Sequence, residues 1–176
     1  VTATLKNGSN LVVSESSATS EKEQKVKIAR AANTLLYDAN GGTGGASSNY
    51  GGGASLNTSA NIPTKTGYTF AGWDTEANGN GDRYAAGELY TFANDNGNGG
   101  CKVTLYAQWV ANTYTIVFDG NGAQQGGIAD ITCTYDQEQI LPVNNFTNLN
   151  FYFAGWNTKA DGSGEAYADF AQVKNL

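Results

Sequence analysis

The chain has 176 residues and a net charge of −6, with 40% hydrophobic and 15% charged residues and no histidine. Its ten Lys and Arg residues are scattered, which excludes the basic surface that nucleic-acid phosphates or anionic membranes require, and no apolar run approaches the roughly 20 residues that span a bilayer. Without histidine there is no Ser-His or Cys-His nucleophile pair and no usual zinc ligand set, so neither an enzyme nor a cofactor is expected.

In chain order, residues 1–5 and 11–13 flank Lys6-Asn7-Gly8, a hairpin signal. Ser20 followed by Glu23 resembles a helix capping box, yet Val26-Lys27-Ile28-Ala29-Arg30 alternates like a strand, so residues 20–32 stay open between the two. Residues 1–33 read as the tail of a preceding module or a linker. With no signal-peptide pattern and no initiator Met, the chain reads as an interior piece of a larger protein.

Beyond residue 33 the sequence repeats itself. Tyr37-Asp38-Ala39-Asn40-Gly41 answers Phe118-Asp119-Gly120-Asn121-Gly122, and Phe70-Ala71-Gly72-Trp73-Asp74-Thr75 answers Phe153-Ala154-Gly155-Trp156-Asn157-Thr158. Gly79-Asn80-Gly81 matches Gly162-Ser163-Gly164, and Tyr84 matches Tyr167. Two copies are expected, residues 34–110 and 113–176. Each reads as strands separated by turns. In the second copy these are an alternating run at Tyr114, Ile116 and Phe118, a turn at 119–122, a strand at 131–135, an irregular or short helical crossing at Leu141-Pro142, and a strand at 151–158. In the first copy, residues 103–109 close the unit. Only residues 110–113 separate the copies, too few to let them swing freely. The counterpart of Leu105-Tyr106-Ala107-Gln108-Trp109 would lie beyond Leu176, so the second copy is expected to lack its closing strand. That leaves either disorder near the C-terminus or pairing with another strand, for which Val1-Thr2-Ala3-Thr4-Leu5, from the same or a neighbouring chain, is a candidate donor.

Several sharper chemistries fall to simpler ones. Tyr37, Phe70, Trp73, Trp109, Phe118, Phe153 and Trp156 are expected in cores, since every copy of a small domain meets the same packing problem. Trp73 and Trp156 are the candidate platform for a sugar ring. Strand alternation would put Phe70 and Trp73 on opposite faces unless the intervening glycine makes a bulge. The Asn94-Asp95-Asn96-Gly97 stretch alternates oxygen side chains as a calcium loop does, but its twelfth position is Leu105 rather than Glu. Asp38 and Asp119 suit turn chemistry rather than a glycosidase pair. Lys65 and Lys102 are weak candidates for an isopeptide bond. Cys133 reads as a buried thiol, with a bridge to Cys101 as the alternative.

The combined motifs Tyr/Phe-Asp-x-Asn-Gly, Gly67-Tyr68-Thr69-Phe70-Ala71-Gly72-Trp73 and Leu105-Tyr106-Ala107-Gln108-Trp109 resemble the Listeria–Bacteroides repeat family, also described as internalin B-type repeats. The second copy departs at Asn150-Phe151-Tyr152. The resemblance implies an α+β, mainly β architecture of tandem small β-grasp (ubiquitin-like) repeats on bacterial surface and secreted proteins. It carries no catalytic residues. The expected function is a spacer or adhesion element outside the cell, facing a host-surface or glycan ligand, with a carbohydrate-binding module as the alternative.

Overall fold

The computed structural model describes residues 30–176. The expected hairpin, the capping box, nearly all of the alternating run at 26–30 and the candidate donor strand lie outside the described residues.

Seven strands make up the first unit: β1 (Asn33–Asp38), β2 (Ser48–Gly51), β3 (Ser55–Asn57), β4 (Tyr68–Asp74), β5 (Arg83–Tyr84), β6 (Leu89–Thr91) and β7 (Lys102–Ala111). Five of them form one sheet in the order β2-β1-β7-β4-β5, and β3 pairs with β6 separately. At the centre, β1 and β7 run parallel, with Leu35 opposite Val103 and Tyr37 opposite Leu105. Period-two alternation then sends Leu35 and Tyr37 from one strand, and Val103, Leu105, Ala107 and Trp109 from the other, towards a shared core. Leu35, Leu105 and Ala107 are completely buried there, joined by Trp73, Tyr90 and Phe92.

A bulge settles where Phe70 and Trp73 point. Against β7, Phe70 pairs with Trp109 and Gly72 pairs with Gln108, so Ala71 is an extra residue. The shift brings Phe70 and Trp73 to one face, with ring centroids 5.1 Å apart in an edge-on arrangement. Gly72 sits at φ +132°, and a Cβ there would lie 2.9 Å from the Tyr84 carbonyl oxygen. Only glycine meets both conditions.

The second unit contains β8 (Thr113–Ile116), β9 (Ile131–Thr134), β10 (Gln139–Ile140), β11 (Trp156–Asn157), β12 (Ala166–Tyr167) and β13 (Gln172–Val173). The pairs β8-β9, β10-β13 and β11-β12 reproduce β1-β2, β3-β6 and β4-β5. Gly155 repeats the bulge geometry at φ +138°, with its Cβ position 2.8 Å from the Tyr167 carbonyl oxygen. The strand expected at 151–158 is cut down to β11. Its counterpart β4 is held by six pairings to β7, and among the described residues no strand stands in that place in the second unit. The C-terminal stretch, where disorder was one expectation, pairs through β13 with β10.

The mainly β expectation holds, while the helical component does not: the described residues contain no helix. At Leu141-Pro142 the irregular alternative holds: residues 141–146 form no regular element, and the Leu141 N–H donates to the Ala171 carbonyl (2.9 Å) at the end of the β10-β13 pair. Pro142 has no N–H to offer a helix. No helix among these residues is long and apolar enough to cross a membrane, which leaves strand-built barrels unaddressed.

Candidate functional site

The aromatic residues divide by unit. Trp73 is 1% exposed; its indole donates to the Ser59 carbonyl (3.1 Å), and the Tyr37 ring packs 4.6 Å away. It presents no face to a ligand. Tyr37 is pinned by its hydroxyl, which donates to Asn49 (2.7 Å) and accepts from the Ser59 N–H (2.8 Å), and burial raises its phenol pKa. Trp109 donates to the Ala39 and Asn40 carbonyls, both at 3.1 Å, with Phe70 edge-on at 5.9 Å. In the second unit Trp156 is only half-buried, against Phe118 (5.1 Å), Phe153 (4.8 Å) and Phe146 (6.2 Å), and its indole donates to Asp169 (3.2 Å). Sequence reasoning did not single out Phe146, Asp169, Tyr90 or Phe92, because none belongs to the most visible repeated motif.

Both copies also build one loop alike, whose matching residues and turn character the sequence shows but whose hydrogen bonds it does not. Asp74 Oδ1 accepts from the N–H groups of Glu76 (2.8 Å) and Gly81 (3.0 Å), and Thr75 Oγ1 accepts from Asp82 (2.9 Å). Asn157 Oδ1 accepts from Lys159 (2.9 Å) and Gly164 (3.0 Å), and Thr158 Oγ1 accepts from Glu165 (2.9 Å). The visible signal was Asp/Asn-Thr with a glycine seven positions after the first residue. The two loops differ at the second side-chain atom. Asn157 Nδ2 donates to the Gly162 (3.2 Å) and Gly164 (3.3 Å) carbonyls, whereas the buried Asp74 Oδ2 has no hydrogen-bond donor and faces Arg83 at 3.5 Å.

The stretch compared with a calcium loop is closed by protein donors. Asp95 accepts from the N–H groups of Gly97 (2.9 Å) and Gly99 (3.3 Å) and from Asn33 Nδ2 (2.7 Å), and it pairs with Arg30. Asp38 and Asp119 each cap their own turn by accepting from Asn40 (2.8 Å) and Asn121 (2.7 Å). Lys65 lies over the Tyr68 ring at 4.1 Å and Lys102 is exposed. Cys101 and Cys133 are free thiols, the second one buried. Among the described residues no acids and thiols gather to hold a metal ion.

What the geometry does bring together is the junction of the two units. Only Asn112 separates β7 from β8, so the connection is shorter than the four residues expected. The Asn112 N–H donates to the Gly67 carbonyl (2.9 Å), and its own carbonyl accepts from the Tyr135 N–H (2.8 Å). Thr69 Oγ1 donates to the Asn112 side chain (2.6 Å). Across the joint, the Tyr68 hydroxyl donates to Asp136 (2.8 Å) and the Tyr68 and Tyr135 rings meet edge-on at 5.7 Å. Asp136 also accepts from Asn175 Nδ2 (2.9 Å) and lies 3.5 Å from Lys174. The Asn175 and Tyr68 hydrogen bonds hold the Asp136 carboxyl below the usual carboxylate pKa, and the same Asp136 contact raises that of Tyr68. Gly67, at φ +75°, is packed so tightly under Tyr135 that a Cβ would enter its ring.

The family model for the Listeria-Bacteroides repeat domain matches residues 34–108 and 114–175. A protein of Evansella cellulosilytica described as a Gly-rich membrane protein is 39% identical over 112 residues, covering 59% of this chain and 12% of that protein. A second Evansella cellulosilytica protein, described as a membrane protein, is 33% identical over 141 residues, covering 76% and 19%. Internalin H of Listeria monocytogenes is 34% identical over 97 residues, covering 53% and 15%. The chain thus spans less than a fifth of the length of these relatives. No solved structure matches it.

Proposed function

The chain belongs to the Listeria-Bacteroides repeat family, and from that premise we propose that it is a non-catalytic spacer, or stalk, that carries adhesive parts of a larger protein away from a bacterial cell. Repeats of this family mark surface proteins, and no enzymatic family is indicated. The names of the relatives, two membrane proteins and an internalin, support a place in the cell envelope; exposure outside the cell is part of the proposal. Residues 34–110 and 113–176 are taken as its two units, each a β-grasp-like fold. The central parallel β1-β7 pair flanked by antiparallel strands supports that assignment, with the loop around β3 where a β-grasp carries its helix.

The observation that carries the spacer reading is the one-residue joint with its cross-unit hydrogen bonds. A spacer has to hold distance, and a joint whose backbone groups are spent on both neighbours resists bending far better than a flexible linker. Single-molecule energy transfer between dyes placed on β2 and on the β12–β13 loop tests this directly. A narrow distance distribution is expected, and a broad one of the kind a flexible linker gives would sink the spacer reading.

A second reading, a carbohydrate-binding module, draws on Phe151 and Tyr152, which are 76% and 90% exposed. Tryptophan emission with iodide quenching during titration of a glycan panel separates the two. A saturable shift of the accessible Trp156 signal with one glycan favours the module, and indifference to every glycan favours the spacer.

A further inference from the structure

Both copies meet the same packing problem, so a side chain that only one of them carries is not there for the shared core. One such side chain lies beside the joint. Thr43 and Thr64 exchange backbone hydrogen bonds (2.8 and 2.9 Å), which ties residues 41–43 to residues 64–66. The chain then turns: the Tyr68 N–H donates to the Lys65 carbonyl (3.0 Å), with Gly67 at φ +75°. The turn recurs in the second unit, where the Phe151 N–H donates to the Asn148 carbonyl (3.1 Å) and Asn150 takes φ +65°. Its first residue does not recur. Lys65 in the first copy is Asn148 in the second.

Closing this turn sets Lys65 beside Tyr68, with the ammonium 4.1 Å from the centre of the ring. That contact holds in place a charge that otherwise rides on a flexible stem. Gly41 leaves space on another side, since even a Cβ there would stand 3.6 Å from Nζ. Among the described residues no carboxylate forms an ion pair with Lys65. Asp136, the acid in the same groove, is engaged by Tyr68, Asn175 and Lys174.

These residues wall a groove of about 440 Å³ to which both units contribute. Thr43, Thr64 and Thr66, all exposed, bring hydroxyl groups to it, and the Tyr68 and Tyr135 rings bring apolar surface. A held cation, hydroxyls and aromatic rings where two units meet make a site for a small ligand or a short stretch of a polymer. The matching ligand has an anionic group for Lys65, hydroxyls for the threonines and an apolar ring face for the tyrosines. An acidic sugar has all three. With a net charge of −6 on the chain and one unpaired cation in the groove, a polymer with a carboxylate on alternate rings is favoured over a densely sulfated one.

We infer that the groove at the joint binds a sparsely charged acidic polysaccharide, with the Lys65 ammonium holding a uronate carboxylate. The site is separate from Phe151 and Tyr152, goes beyond the spacer reading and does not depend on it.

The probe is a hyaluronan tetrasaccharide, in which glucuronate alternates with N-acetylglucosamine, titrated into the intact chain and followed by amide chemical shifts. Saturable shifts are expected together at residues 41–43, 64–68 and 135–136. Lys65→Gln is expected to weaken binding at least about tenfold, or about 1.4 kcal/mol. Lys65→Arg keeps the charge and the ring contact, so it should bind more tightly than Lys65→Gln; Lys102→Gln removes an exposed lysine outside the groove and should change nothing. A neutral N-acetylglucosamine tetramer is expected to bind at least about tenfold more weakly than the acidic sugar. Undiminished affinity in Lys65→Gln, no recovery in Lys65→Arg, equal affinity for the neutral tetramer, tighter binding of a densely sulfated heparin tetrasaccharide, or shifts confined to one unit would each overturn the inference. Saturable shifts at residues 151–152 alone would overturn it while supporting the carbohydrate-binding module, and no shift with any sugar would overturn both.

Discussion

Replacing Gly72 by alanine probes the bulge on which the first core depends. Two costs add in the native state. Holding a side chain at φ +132° costs about 1–3 kcal/mol, as sparsely populated backbone conformations do. The new Cβ would also stand 2.9 Å from the Tyr84 carbonyl oxygen, a backbone atom that cannot swing aside, and overpacking of this kind costs about 1–3 kcal/mol. The expected loss is therefore about 3 kcal/mol, a large share of the roughly 5–15 kcal/mol that keeps a small domain folded. Gly87 supplies the control. It sits at φ +80° with nothing within 4 Å of its Cβ position, so Gly87→Ala carries only the left-handed penalty of about 1–2 kcal/mol. Urea unfolding in a Trp156→Phe background, where only Trp73 and Trp109 report, measures both. If the two variants lose the same stability, or Gly72→Ala loses less than about 1 kcal/mol, the steric argument for the bulge is wrong. If the strand escapes by losing its extra residue, the register slips and Trp73 turns outward; red-shifted emission at low urea would reveal that route.

Other expectations follow from the loops and the joint. Asp74→Asn is expected to be neutral or to stabilise by about 0.5–1 kcal/mol, because the new Nδ2 can donate as Asn157 does where Oδ2 now has no donor; Asp74→Ala is expected to cost about 2–3 kcal/mol by stranding the Glu76 and Gly81 N–H groups. Chemical denaturation of the pair decides, and an asparagine as damaging as alanine would refute the donor argument. For the joint, the Asp136 pKa is depressed, so its contribution is present above the unfolded value of 3.8 and lost as pH falls through the lower folded value. The Tyr68 pKa is raised, so its contribution is present below 10.0 and lost as pH rises through the higher folded value. Nuclear magnetic resonance contacts between Tyr68 and Asp136 should fade at both extremes, and a joint unchanged at acid pH would count against the assignment. Gly67→Ala forces Tyr135 off its seat, and it should broaden the inter-unit distance distribution while leaving the unfolding midpoint of the first core within about 1 kcal/mol of its Gly87→Ala counterpart.

Much of this was legible in the chain because repetition doubles every local signal. Trp73 and Phe70 recur with their glycine, and the glycine was the one residue that made their sharing a face conditional on a bulge. Tyr37, Phe118 and the Asp-x-Asn-Gly turns were readable from alternation followed by residues that accept positive φ, and Asn40 and Asn121 adopt it at 47° and 48°. What stayed hidden is non-local. Asp169 reaches the Trp156 indole from thirteen residues away, and Tyr90 and Phe92 join the core from a strand too short to show periodicity and from the residue just past its end. The strand expected at 151–158 failed for a related reason: its residues have strand character, but a strand needs a neighbour to bond, and sequence carries the propensity without the partner.

The parallel pairing of β1 with β7 also governs how the unit bears load. Because the first and last strands lie side by side and point the same way, a pull on the two ends of the unit slides one against the other. The ladder from Thr34–Lys102 to Asp38–Tyr106 then has to give way together rather than one rung at a time. The second unit has no such ladder among its described residues: β8 is held by its hairpin partner β9, and tension can peel those pairs in sequence. The shared ladder thus sets the first unit's holding time under tension, an unfolding rate rather than an equilibrium stability.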